Sequence, residues 1–170
     1  MSEELQGYSM FLSIFDVFKV GVGPSSSHTI GPMVAAARFL EQLRQGRGVV
    51  PGSGAPTTLG CSLHGSLAFT GKGHATDRAT ILGLAGFRAD TFDAEKAELA
   101  LARINADKTI EIDGLGTLAF DPVTDLEFDF GPALPGHANG MILSAYDVRG
   151  DLHMRETYYS VGGGFVVTEE

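Results

Sequence analysis

The sequence predicts an α+β fold, a mixed β-sheet with helices packed on one face. Three observations carry that reading. From Ile30 the apolar residues fall at helical spacing, with Ile30, Met33, Val34, Ala37 and Leu40 on one face and Arg38, Glu41 and Arg44 away from it. Thr57 to His64 alternates instead, Leu59, Cys61 and Leu63 pointing one way and Thr58, Gly60, Ser62 and His64 the other, as a half-buried strand does. The second half of the chain is a run of short strand candidates, and such an order of elements favours a sheet with segregated helices.

The elements follow in chain order. With 170 residues the chain supports one domain. Residues 1–10 are expected to be a flexible arm and residues 11–170 the domain. Met10 to Phe18 is nearly continuous apolar residue, broken by Ser13 and Asp16, and is read as a short helix ended by Gly21, Gly23 and Pro24. Ser27 or Thr29 then serves as N-cap for the helix from Ile30, a hydroxyl there accepting from an orphaned backbone N–H. Pro32 suits the first turn, where a missing N–H costs nothing. Gly46 to Pro56 is a Gly/Pro/Ser-rich surface loop and the segment expected to move most.

After the strand at Thr57–His64, Thr76 or Asp77 is expected to cap a second helix that stops near Gly86. Asp93 caps a third, whose inner stripe is Ala97, Leu101 and Ile104. Strands are predicted at Thr109–Ile112, Thr117–Phe120, Leu126–Phe130, Met141–Val148, Leu152–Tyr159 and Phe165–Thr168. Arg149-Gly150-Asp151 spells a cell-adhesion tripeptide, but its place between two strands reads as a hairpin turn.

Composition excludes several roles. A net charge of −9 argues against nucleic-acid binding and against docking on anionic membranes. No apolar stretch is long enough to span a bilayer, and the polar, acidic start is not a secretion signal. The single cysteine, Cys61, forms no internal disulfide and cannot hold an iron–sulfur cluster by itself. The cytoplasm is the expected compartment. The five histidines lack close ligand spacing, so no metal site is expected in this chain.

Chemistry concentrates in a few polar, glycine-rich segments. Ser25, Ser26, Ser27, His28 and Thr29 crowd four hydroxyls and an imidazole ahead of a helix, where free N–H groups and the dipole attract a carboxylate or phosphate. Gly71-Lys72-Gly73-His74-Ala75-Thr76-Asp77 lacks the spacing of a P-loop. His74 is placed just before a helix start, where the dipole disfavours an imidazolium and keeps a neutral base, with Lys72, Thr76 and Asp77 around it. His137 and Asn139 share one side of an extended segment flanked by Gly136 and Gly140, and read as either a solvated turn or a small-molecule clamp. Gly162-Gly163-Gly164 permits close approach of a ligand or chain, or a break between strands. His64 and His153 read as ordinary strand residues.

Four of these stretches resemble one family. Ser13–Met33, His64–Asp77, Pro135–Met141 and Thr157–Phe165 look like the β domain or subunit of iron–sulfur-dependent L-serine dehydratase, or L-serine ammonia-lyase. The resemblance runs from about Ser13 to the last residue, with Glu169-Glu170 where the family's β region gives way to its catalytic α region. It implies conversion of L-serine to pyruvate and ammonia with a [4Fe–4S] cluster held by the absent α region. It implies that His74 is the base, with His64 as second choice, and that Ser25–Thr29, Lys72, Thr76, Asp77, Gly162 and Gly163 line the substrate pocket. Partners implied are the catalytic α domain or subunit, L-serine and a second copy in a homo-oligomer, with the chain inactive alone.

The fold is also similar to the regulatory, substrate-binding domain of some phosphoglycerate dehydrogenases, which implies an effector site at His137 and Asn139. The loop Gly46–Gly54 is longer and richer in glycine than the family leads one to expect. Two other readings stay open: a non-catalytic L-serine-sensing module, and an independent phosphate-binding enzyme. Ser25, Ser26, Ser27, His28 and His74 are expected to cluster, beside an exposed apolar patch that docks the α region.

Overall fold

The computed structural model describes residues 25–169. The expected arm, the helix at Met10–Phe18 and the residues up to Pro24 lie outside that range.

Strand β1 (Pro56–Gly65) is the centre of a seven-stranded mixed sheet. On one side it runs antiparallel to β5 (Asn139–Asp147), which pairs with β6 (Leu152–Gly162) and through it with β7 (Phe165–Thr168). On the other side it is parallel to two short strands in turn. Thr58 pairs with Ala119 of β3 (Gly116–Ala119), and Cys61 to His64 pair with β4 (Leu126–Asp129). β2 (Thr109–Ile112) closes that edge antiparallel to β3. The α+β class is what the sequence predicts, and most strand bounds agree to within two residues.

The helices are α1 (Ile30–Arg44), the one-turn α2 (Ser66–Phe69) and α3 (Gly71–His74), α4 (Thr76–Leu84) and α5 (Ala94–Asp107). Phe39, Leu40, Leu82, Ala97 and Leu101 from the long helices join Leu59, Leu63, Leu143 and Tyr158 from the sheet in one core. Burying each large apolar side chain contributes about 1.5–3 kcal/mol. The α1 helix lies across β6, where the Tyr158 hydroxyl donates to Gln42. It also packs on α4 so closely that a Cβ at Gly83 would sit 2.6 Å from the Met33 carbonyl oxygen.

α4 ends at Leu84, close to the expected stop at Gly86, whose φ of +85° lets Phe87 N–H reach the Leu82 carbonyl and Gly86 N–H the Gly83 carbonyl. Asp93 caps α5 by accepting from Lys96 N–H at 3.1 Å. Two expected caps are corrected. Thr29 is the N-cap residue of α1, but its hydroxyl turns back and donates to the Ser25 carbonyl, so no side chain caps the helix. Neither Thr76 nor Asp77 caps α4: the boundary is Ala75, held left-handed at φ 57°, while Thr76 is already helical and Asp77 accepts from Arg78 N–H. The predicted Arg149-Gly150-Asp151 turn joins β5 to β6, with Gly150 at φ +81°.

The loop expected to move most is tied to the sheet. Gly54 N–H donates to Asp147 Oδ2 at 2.9 Å, and His153 Nδ1 donates to the Gly54 carbonyl at 2.7 Å. His153 is therefore a buried strand residue, as predicted, and also an anchor for that loop.

Candidate functional site

The end of β1, the start of β5 and the end of β6 meet at one end of the sheet, where Gly65 pairs with Asn139 and Gly140 with Tyr159. Three turns gather there. The Ser25–Thr29 turn leads into α1 and is closed by His28 N–H to the Ser25 carbonyl and Gly31 N–H to the Ser26 carbonyl. The β6–β7 turn carries Gly162, Gly163 and Gly164 at φ of 104°, 61° and 81°, and a Cβ on Gly164 would come within 2.8 Å of Ile30. The third is the Gly65–His74 segment.

His28 sits at the crossing. Its Nδ1 lies 3.0 Å from Ser27 Oγ and 3.2 Å from Ser25 Oγ, and its Nε2 lies 2.9 Å from Ser66 Oγ. Its ring stacks on that of His74 with centroids 4.7 Å apart and a tilt of 34°. Burial and the neighbouring His74 lower the His28 pKa from its ordinary value, opposed by a backbone hydrogen bond at Ser66.

His74 does not simply precede a helix. It ends the one-turn α3, and Ala75 separates it from α4. Its Nδ1 lies 2.9 Å from the Thr70 carbonyl oxygen. A carbonyl only accepts, so Nδ1 carries the proton and the lone pair of the neutral ring lies on Nε2. His64 is differently placed. It is buried on β1, with Nε2 2.8 Å from Ser62 Oγ and Nδ1 3.5 Å from Asp129 Oδ2.

Around this pair, the sequence-predicted residues divide. Ser25, Ser27, His28 and His74 come together directly. Ser26 holds the turn through its carbonyl, and Thr29 is buried beneath it. Lys72 lies over the Phe128 ring, 5.4 Å from its centroid. Thr76 is fully buried, and its hydroxyl has no partner. His137 is exposed, its Nδ1 accepts from Asn139 N–H at 3.0 Å, and the Asn139 amide donates to the Ser160 carbonyl at 3.1 Å.

Two residues escaped the sequence reading. Ser66 binds His28; it lies inside the family-like stretch His64–Asp77 but was not singled out as a site residue. Ser160 is buried with an unpartnered hydroxyl against Gly31 of α1.

Just outside this cluster, Phe69 and Phe130 are 64% and 60% exposed and stack edge to face with centroids 5.4 Å apart. Phe69 ends α2, three residues after Ser66 and five before His74.

An iron–sulfur cluster needs thiolate ligands. Among the described residues no three His, Cys, Asp or Glu side chains form a metal site, and burial raises the Cys61 thiol pKa far from thiolate formation. The described residues of this chain therefore do not fit that group. Among the same residues, no helix is long and apolar enough to cross a membrane.

Comparison with known proteins matches residues 13–170 to the family described as serine dehydratase beta chain. L-serine dehydratase of Helicobacter pylori is 44% identical over 158 residues, 93% of this chain and 33% of that protein. The Streptomyces coelicolor L-serine dehydratase is 44% identical over 161 residues, 95% of this chain and 34% of that protein. L-serine dehydratase 1 of Escherichia coli is 40% identical over 161 residues, 94% and 34% of the two chains. The chain spans about a third of the length of these relatives. A match across every described residue, including both histidine-bearing segments, places the chain in the serine dehydratase beta chain family.

Proposed function

We propose that this chain supplies the proton-abstracting side of an L-serine ammonia-lyase. His74 is the base that removes the α-proton of L-serine. Loss of that proton and the β-hydroxyl, together one water, leaves 2-aminoacrylate, which tautomerises and is hydrolysed to pyruvate and ammonia. Removing a carbon-bound proton requires a base with a directed lone pair. The observation that carries the reading is the His74 ring, tied through Nδ1 to the Thr70 carbonyl and stacked on His28, which leaves Nε2 for the substrate.

The Ser25–Thr29 turn at the start of α1 is assigned the charged ends of the amino acid, with Gly162 and Gly163 allowing close approach. Lys72, Thr76 and Asp77 belong to the wall behind His74 in this reading. The [4Fe–4S] cluster belongs with the α portion that makes up the remaining length of the relatives, and the chain works in the cytoplasm as part of that assembly. Phe69 and Phe130 are the surface on which the α portion docks.

Replacing His74 by Gln in the complete, cluster-loaded enzyme tests the reading. Turnover is expected to fall by about 10²–10⁴-fold with L-serine still bound. Near-normal turnover with altered activation by L-serine would overturn it in favour of a sensing module. That second reading has one observation of its own: exposed His137 and half-buried Asn139 are joined to each other at the same end of the sheet.

A further inference from the structure

The Ser66 backbone is held by the glycine turn before it and by its own hydrogen bond. The chain leaves β1 through Gly65 at φ 55° and ψ −128°, where a Cβ would lie 2.3 Å from the Ala138 carbonyl oxygen. Only glycine takes that path. Ser66 N–H then donates to the same carbonyl at 2.8 Å. With its backbone held on both sides, the Ser66 hydroxyl is presented to His28 Nε2 at 2.9 Å. The contact joins the central strand to the turn before α1, across 38 residues of sequence.

We propose that Ser66 is a positioning residue for His74, acting through His28. The inference rests on His74 being the base. The His74 imidazole is gripped on its edge by the Thr70 carbonyl and on its face by the His28 ring. The edge contact fixes which nitrogen is free, and the face contact fixes where its lone pair points. The His28 ring keeps its plane because hydroxyls hold both of its nitrogens, Ser25 and Ser27 at Nδ1 and Ser66 at Nε2. A hydroxyl donates or accepts, so this grip serves either neutral tautomer of His28. Without the Ser66 hydroxyl, Nε2 of a partly buried imidazole has no partner, and the ring turns toward water. The face of His74 is then open and the base is free to swing.

The test uses Ser66→Ala and Ser66→Thr in the complete enzyme, with steady-state kinetics and ring NMR of His28 and His74. Ser66→Ala is expected to lower kcat by about 10–100-fold while KM for L-serine changes less than about threefold, because orientation and not binding is lost. The ring resonances of both histidines should move together, and Ser66→Thr should restore both readouts. A Ser66→Ala enzyme with wild-type kcat would overturn the proposal. So would a threonine variant as slow as the alanine one, or His74 resonances that stay in place when the hydroxyl is removed. His74→Gln run alongside separates the two claims. Unimpaired turnover in that variant removes the base assignment, whereas the link from Ser66 to the His74 ring is judged by the resonances, which need no turnover. If Ser66→Ala does not fold, Ser66→Cys gives the weaker donor in the same shape and must fall between serine and alanine in both readouts.

Discussion

His28 and His74 face each other at 4.7 Å between ring centroids, one carried by the turn before α1 and the other by the turn before α4. Burial disfavours a proton on His28, and so does the neighbouring His74.

The consequence is a pH dependence of stability. The folded His28 pKa lies below the ordinary value of 6.5, so on acidification the unfolded chain takes up a proton that the folded chain refuses. Stability should therefore fall as pH drops through 6.5 toward the folded pKa, and level off below it. Replacing His28 by Gln should flatten that part of the curve. Urea midpoints of both proteins from neutral pH downward check this, and parallel curves would remove His28 as the cause.

Gly31 and Ser160 give a packing test. A Cβ on Gly31 would lie 1.9 Å from Ser160 Oγ and 2.7 Å from its Cβ, so α1 meets β6 without room for a methyl group. Gly31→Ala is expected to destabilise by about 1–3 kcal/mol, as overpacking does, despite alanine's better helix propensity. Ser160→Gly empties the contested space. In that background the alanine should cost less, and a double-mutant cycle by urea unfolding measures the coupling. Equal costs in both backgrounds would place the strain elsewhere.

What was legible in the sequence follows from which signals are local. Helical spacing from Ile30 and strand alternation at Thr57–His64 are written in consecutive residues, and both elements stand where expected. Gly86 and Asp93 act within one turn of their own position, and both boundaries held. The caps at Thr29 and Thr76 failed because a hydroxyl has several carbonyls within reach, and each chose another fate. Thr29 closed the turn behind it, and Thr76 was sealed against the core. The one-turn helices at Ser66–Phe69 and Gly71–His74 are too short to carry any period. Ser66 went unseen for a further reason: its role depends on His28, which only tertiary folding delivers. The convergence of His28 with His74 came from the family resemblance, not from spacing.

Asp147 anchors the loop before β1, and its charge should be visible in acid. Its carboxylate accepts from Gly54 N–H, from the Arg149 and Asp151 backbone N–H groups and from the Arg149 guanidinium. These hydrogen bonds, the Gly54 one foremost, hold its pKa at about 2, against an ordinary 3.8. A depressed carboxylate stabilises fully above its unfolded value, and that contribution is lost as pH falls through the folded one. The native protein should thus lose more stability between pH 3.8 and about 2 than Asp147→Asn does. Acid unfolding of the two proteins measures the difference, and identical slopes in that window would contradict the assignment.

Phe69 and Phe130 remain to be covered. Both rings are more than half exposed, and Phe69 stands on α2 three residues after Ser66. Paired exposed aromatic rings of this kind mark an interaction surface. Because neither ring belongs to the buried core, replacing both by Ser should leave the melting of this chain nearly unchanged. On the proposal that the α portion docks on these rings and that His74 is the base, the same change in the complete protein should raise hydrogen exchange across 66–74 and lower turnover. Exchange at 66–74 that is the same with and without the two rings would show that the α portion docks on another face.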